Sequence, residues 1–254
     1  MNIFFDHICG KQANTDFIHS LVSATFEKSE YDMALELGWC PSNIWYSQNT
    51  NFKEQNKIIW YQSRQSRINL SKYKKSKSEK RLRQKIYDAH MGYEITKNPD
   101  FDLLYSIYKK YVEYKKFKDF MDKDSFLESY NNSNDLFLIY HKEAFSVIEI
   151  CGSNLISHQF CWDYKRPELA IGKYSTYVEI DFAIQNNLKN VYLGPSYEKH
   201  SFYKSYFSGF EFWTGRKWSD NKKAFEVLLN IDTSTNTIDG ITKKYEDYFS
   251  LLSV

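Results

Sequence analysis

The sequence predicts a mixed α/β protein of two lobes, the second more complete than the first. Three observations predict this class. Helix-period and strand-period hydrophobic segments alternate through the second half of the 254 residues. The turn signal Asn98-Pro99-Asp100 separates that half from the first. A concentrated basic stretch lies just before the turn, inside a first half with shorter and weaker periodic segments. The expected division is therefore residues 1–97, a reduced N-terminal lobe carrying the basic stretch 64–85, and residues 98–254, the complete lobe.

The elements follow in order. Phe17 to Leu37 is compatible with a helix, and Gly38 is a C′ stop for it. Ile44 to Tyr46 and Ile58 to Gln62 read as short strands. After the turn, Leu104, Ile107, Tyr108 and Tyr111 give Phe101 to Tyr114 a helical face. Lys123 to Ser129 is a shorter helix. Leu136–Tyr140, Phe145–Cys151 and Leu155–Trp162 are three successive strands, the last two joined through Gly152-Ser153-Asn154. A helix over Tyr174–Asn186 follows Gly172. Asn190–Gly194 is a short buried strand, Tyr197–Phe207 a helix and Phe210–Thr214 a final strand. This order is that of a GNAT-type acyltransferase domain.

Composition excludes several classes. A hydrophobic fraction of 42% against 26% charged residues excludes a wholly disordered chain. No apolar run approaches the roughly 20 residues that span a bilayer. Met1 to Lys11 lacks the basic and apolar regions of a secretory signal, so a cytoplasmic protein is expected. The four cysteines, Cys9, Cys40, Cys151 and Cys161, include no CxxC pair. Neither a zinc or iron–sulfur site nor a disulfide framework is expected, and no metal. The 21 Tyr, 19 Phe and 6 Trp accompany other residues with A/T-rich codons, and some of these rings are also candidates for stacking on bases.

The net charge of +2 hides an asymmetry. From Arg64 to Lys85 there are ten Lys or Arg residues and one acid, Glu79, so the segment carries +9 and the rest of the chain −7. Clustered cations attract phosphates and release counterions, which points to a polyanion partner; a solvated basic loop is the alternative.

A GNAT domain that binds acyl-coenzyme A needs a glycine-rich loop whose backbone N–H groups cradle the pyrophosphate. At that place this chain reads Arg166-Pro-Glu-Leu-Ala-Ile-Gly-Lys-Tyr174. It has one glycine, and Pro167 removes a donor. An acyl donor other than coenzyme A is expected.

The residues resemble those of the aminoacyl-tRNA–protein transferase family, the arginyl- and leucyl-transferring enzymes. Tyr31, Leu35, Gly38-Trp39 and Ser42 match its first pattern, and Arg64 with Ser76-Lys-Ser78 and Lys80-Arg81 its basic pattern. Trp162-Asp163, the run Gly172-Lys-Tyr174, Val191-Tyr-Leu-Gly194 and Tyr203-Lys204 follow in the family's order, over about Tyr31 to Trp218. The family's N-terminal cysteine pairs are absent, Pro195 stands where an aromatic follows Tyr-Leu-Gly, and Tyr164 replaces a proline.

The resemblance implies two GNAT-like lobes and aminoacyl transfer from a charged tRNA to an amine, on a protein N-terminus or a small molecule, giving an amide. Aminoacyl-tRNA is then a co-substrate and no resident cofactor is implied. No enzyme nucleophile is required, which agrees with the lack of a Ser/His/Asp or Cys/His arrangement. Asp163, Lys204 and Tyr203 are the implied catalytic residues, with Asp163 holding the donor's α-ammonium or a cationic side chain of the donor amino acid; capping a turn is its other reading. Tyr192, Gly172, Arg64 and His158 are candidates for substrate binding, and Lys77, Lys80 and Arg81 for tRNA binding. Glu179 and Asp181 read as solvent-facing helix acids. The competing functions are an acyl-coenzyme A-dependent N-acyltransferase and a non-catalytic RNA-binding module.

Overall fold

The computed structural model describes residues 2–12, 15–42, 59–62, 64–117, 120–130, 134–196 and 199–234. The chain is mixed α/β, with a four-stranded antiparallel sheet and an eight-stranded mixed sheet flanked by helices. It divides into two compact units, residues 1–69 with 193–254, and residues 70–192. The expected boundary at 97/98 lies inside the second of these. Among the described residues no helix is long and apolar enough to cross a membrane.

In the unit of residues 1–69 and 193–254, β1 (Asn2–Gln12) and β2 (Thr15–Thr25) form an antiparallel hairpin. A 3-10 turn at Lys28–Glu30 leads into α1 (Tyr31–Glu36). Strands β3 (Trp39–Ser42) and β4 (Ile59–Gln62) complete the order β1-β2-β4-β3. The helix expected over Phe17–Leu37 is thus half wrong. Its first part is a strand whose ladder partners lie in β1 and β4, and long-range pairing overrides local helix compatibility. The strand expected at Ile44–Tyr46 lies outside the described residues. Next in the unit come β5 (Gln65–Asn69), a 3-10 helix over Lys199–Tyr206, β11 (Phe210–Trp213), β12 (Trp218–Ser219) and α6 (Lys222–Ser234).

Arg67 on β5 ties this unit together. Its Nε donates to Glu211 Oε2 at 2.8 Å, its Nη1 to Glu36 Oε2 at 2.6 Å, and its guanidinium lies 4.0 Å from the Trp218 ring centroid. A planar fork with several donors suits such a junction, where a lysine would not.

The unit of residues 70–192 begins with α2 (Lys77–Asp88), N-capped by Ser76 Oγ, and β6 (Tyr93–Thr96). The Asn98-Pro99-Asp100 turn starts α3 (Phe101–Lys115): Asp100 Oδ1 accepts from the N–H groups of Asp102 and Leu103. Leu104, Ile107, Tyr108 and Val112 are its buried stripe, each contributing about 1.5–3 kcal/mol by leaving water. α4 (Lys123–Ser129) falls where expected, capped by Asp122. Strands β7 (Asp135–Tyr140), β8 (Ala144–Cys151) and β9 (Asn154–Trp162) form an antiparallel meander. α5 (Ile171–Gln185) then crosses over to β10 (Asn190–Pro195), whose Val191 and Tyr192 pair in parallel with β9.

The abundant aromatics are largely core. Tyr105, Tyr108, Phe126, Tyr130 and Phe145 pack ring against ring between α3, α4 and β8. In the other unit Phe26 stands edge-on to Trp39 and Trp60.

Gly38 ends α1 at φ +79°, and a Cβ there would sit 2.5 Å from the Trp213 ring. Gly38→Ala should therefore lose about 2–4 kcal/mol, combining a left-handed backbone with overpacking. Urea unfolding checks this; a loss below about 0.5 kcal/mol would mean that the indole moves aside freely.

Candidate functional site

The chemistry-bearing residues group in three places. The first is the end of β9. Asp163 follows Trp162, and its Oδ1 accepts from the Lys165 N–H at 3.2 Å while its Oδ2 lies 2.9 Å from Lys165 Nζ. The pairing raises the Lys165 ammonium, chiefly through that hydrogen bond. Asp163 therefore closes a turn and pairs with the Lys165 side chain. Tyr164, at φ +57°, stacks on Tyr114 with ring centroids 3.5 Å apart and lies 4.0 Å from Trp162. Lys115 Nζ stands 5.9 Å from the Tyr164 centroid. Tyr114 is 60% exposed, so the stack offers an aromatic face to solvent.

The second place is α2. Lys77, Lys80 and Arg81 are exposed and form no ion pair among the described residues. Other cations of the basic segment are committed to the fold. Arg83 pairs with Glu79 and Asp181, Lys75 with Asp181, and Arg67 with Glu36 and Glu211. Beside the free cations an open groove of about 470 Å³ is lined by Lys80, Arg83, Gln84, Tyr87 and Tyr174, among others. Tyr87 is 75% exposed.

The third place lies where the chain leaves β10, in the unit of residues 1–69 and 193–254. Lys204 is buried, and its Nζ donates to the carbonyls of Leu193 and Pro195 at 2.8 Å each. Its Nζ also lies 3.2 Å from Ser196 Oγ, which is 2.7 Å from Ser66 Oγ. Burial pulls the amine down to about 7, while the nearby Cys40 acts in the opposite direction. Gly194, held between the clamped carbonyls, has φ +72°, and a Cβ on it would meet nothing within 4 Å. Tyr203 is half-exposed, and Arg64 is buried with its carbonyl accepting from the Ser196 N–H.

Three other sequence candidates lie apart from these places. Gly172 is the second residue of α5, and a Cβ there would lie 3.1 Å from the Phe160 ring. It lets the helix approach β9, not a substrate. Tyr192 is fully buried, so it offers no face to a base. His158 does not join the Asp163 turn; its Nε2 lies 2.9 Å from Glu149 Oε2 on β8.

Sequence reasoning missed three groups. Glu179 is buried, not solvent-facing: its Oε1 accepts from Ser146 Oγ and Ser175 Oγ, and burial raises its carboxyl to about 6. Ser66 and Ser196 were missed because 130 positions separate them. The third group, around His158, involves Asp135 and Glu149. No local spacing signals the last two groups, but Glu179 sits within an apolar run, Tyr177-Val-Glu-Ile180, that could have raised the question.

No protein-family model matches this sequence, and no curated protein matches it. Solved structures do. One is the C-terminal domain of an Agrobacterium fabrum protein described as a lysylphosphatidylglycerol synthetase, at 11% identity and TM-score 0.41, covering 53% of this chain and 46% of that one. A second is L-PGS from Bacillus licheniformis, at 10% identity and TM-score 0.42, covering 87% and 62%. A third is FemX, at 8% identity and TM-score 0.40, covering 76% and 79%. This chain spans less than two thirds of the length of the first two.

Proposed function

We propose that this protein transfers an aminoacyl group from a charged tRNA to an amine acceptor, in the manner of the arginyl- and leucyl-transferring enzymes its motifs resemble. The observation that carries the reading is the exposed Lys77–Lys80–Arg81 surface beside a groove lined by Tyr87 and Tyr174. Free cations meet phosphates and aromatic faces meet unpaired bases, as a single-stranded tRNA terminus requires. The sparse Arg166–Tyr174 loop supports the same choice of donor over coenzyme A. Pro167–Leu169 is a 3-10 turn, and α5 follows at Ile171.

In the reaction the acceptor's neutral amine attacks the ester carbonyl. The C–N bond forms, the C–O bond to the ribose breaks, and a proton passes from nitrogen to the leaving hydroxyl oxygen. Such chemistry is served by a basic group with a pKa near neutrality and by donors at the developing oxyanion. Lys204 has that pKa, and Ser196 and Ser66 extend its amine into a chain that can pass a proton. Asp163, with its carboxylate at the strand end, is assigned to the donor's α-ammonium, in exchange for Lys165.

The decisive assay incubates the protein with tRNAs charged with single radiolabelled amino acids and candidate amines. Label should move into an alkali-stable amide; RNA binding without any transfer would leave a binding module. Asp163→Asn keeps the turn and removes the charge, so transfer should fall at least about tenfold with folding intact; unchanged turnover makes Asp163 a turn residue only.

Lys204 gives a pH prediction. Its folded-state pKa, about 7, lies below the ordinary 10.5. Between these values the unfolded chain binds more protons, so stability should rise as pH climbs from about 7 toward 10.5. Lys204→Met should flatten that rise in chemical denaturation and remove the limb near pH 7 from the transfer–pH profile. An unaltered profile with slower transfer would leave Lys204 as a clamp on the Leu193–Ser196 carbonyls.

Replacing Lys77, Lys80 and Arg81 together with Ala should weaken tRNA binding and reduce the log–log salt slope by about 2, at roughly 0.7 per single-strand phosphate. Among the described residues these side chains have no ion-pair partner to lose, so stability should change little. Filter binding at several salt concentrations reads the slope, and an unchanged one moves the RNA to another surface.

A further inference from the structure

Asp135, Glu149 and His158 sit on three adjacent strands of the unit of residues 70–192, on one face of the meander. Asp135 of β7 is the direct cross-strand partner of Glu149 on β8. Glu149 is opposite Ile156 of β9, and His158 lies two residues further along that strand. A β-bulge falls at this point: Val147 pairs with Gln159 and Ile148 with Ser157, which leaves His158 as the extra residue. Bulges re-aim a side chain at the expense of ladder pairing. Here the bulged residue's Nε2 comes 2.9 Å from Glu149 Oε2.

One donor atom from each of the three residues lies within 4.8 Å of the others. All three side chains are buried: Asp135 is 2% exposed as a residue, and the Glu149 and His158 side chains are 4% and 7% exposed. Two carboxylates and one imidazole out of water are poorly compensated by one another, since both acids cannot be balanced by a single histidine. The second observation is the set of polar atoms left over. Asp135 Oδ1 has no hydrogen-bond partner among the described residues, and neither does the hydroxyl of Tyr130, a buried residue whose electrostatic environment includes Asp135. Buried polar atoms of this kind call for a partner that the side chains do not supply.

We propose that Asp135, Glu149 and His158 form a binding site for a divalent transition-metal ion of the zinc class. The donor set favours this class. Imidazole with carboxylates suits zinc and its neighbours, whereas magnesium and calcium take oxygen ligands only and more of them. With bonds of about 2.0–2.1 Å a tetrahedral ion holds its ligands about 3.3 Å apart, so the widest pair here closes by at most about 1.5 Å on loading. Three protein donors leave a fourth position for water. The ion would cross-tie β7, β8 and β9, and β9 is the strand that ends at Trp162 and Asp163. The proposal runs against the expectation of no metal, which rests on cysteine spacing alone; this site uses none of the four cysteines.

The test uses the full chain, stripped with chelator and desalted. Zinc chloride is titrated by calorimetry, with manganese chloride and magnesium chloride as comparators, and thermal unfolding is followed with and without each. One zinc per chain should bind, with a rise in Tm of several degrees at saturation, a weaker response to manganese and none to magnesium. His158→Gln preserves a hydrogen bond to Glu149 and should reduce zinc affinity at least about a hundredfold; Asp135→Asn, which keeps the shape, should do the same. Absence of stoichiometric binding by the wild type overturns the proposal. So does binding that survives intact in both variants, which would place zinc on other residues. Should either variant unfold, the wild-type stoichiometry and the remaining variant still decide.

Discussion

The parallel pairing of β10 with β9 is the constraint on which the unit of residues 70–192 is built. A parallel pair cannot be closed by a tight turn and needs a crossover, here α5. The helix must lie against β9, which is why a glycine stands at position 172 opposite Phe160. It must also bury most of its circumference, so Glu179 goes inside and is held there by serine hydroxyls from β8 and from its own preceding turn. The turn at Asp163 sits just before this crossover and takes its shape from it. Tyr164 adopts a left-handed conformation, and Ala170 does the same where α5 begins.

Buried charge is handled differently in different parts of the chain, and the differences separate support from chemistry. Arg67 meets two carboxylates and an indole face, a fully compensated junction that serves the fold. Glu179 has hydroxyl partners and no cation within its hydrogen bonds, so burial shifts it toward its neutral form. The Lys204 amine has carbonyl and hydroxyl oxygens as hydrogen-bond partners, and burial pulls it to about 7, into the range where it exchanges a proton readily. In the three-strand cluster of Asp135, Glu149 and His158, two buried carboxylates lie beside one imidazole, and Asp135 Oδ1 has no hydrogen-bond partner among the described residues. These are different answers to one cost, the removal of a charge from water.

The basic segment illustrates how far a charge count can be carried. Its +9 divides into cations that the fold consumes and cations left facing solvent. Arg67, Lys75 and Arg83 are held by acids distant in sequence or one helical turn away. Lys77, Lys80 and Arg81 are among the cations left facing solvent, on the outward side of an amphipathic helix whose inward side carries Glu79 and Ile86.

Sequence alone determined the class of fold and most elements of the second half. The spacing of Leu104, Ile107 and Tyr108 fixed α3, the Asp100 and Asp122 caps fixed where α3 and α4 start, and alternating apolar runs fixed β7 to β9. It also fixed Gly38 as the end of α1. These signals are local, set by backbone sterics and by which side of an element leaves water. Tertiary structure decided the rest. It made Thr15–Thr25 a strand, because ladder bonds to β1 and β4 outweigh a weak helical preference. It turned Gly172 into a packing residue and Glu179 into a buried acid, because α5 is covered over most of its circumference, and it buried Tyr192 within β10. It brought Ser66 to Ser196 and Asp135 to His158, because strand pairing joins positions that no spacing along the chain relates.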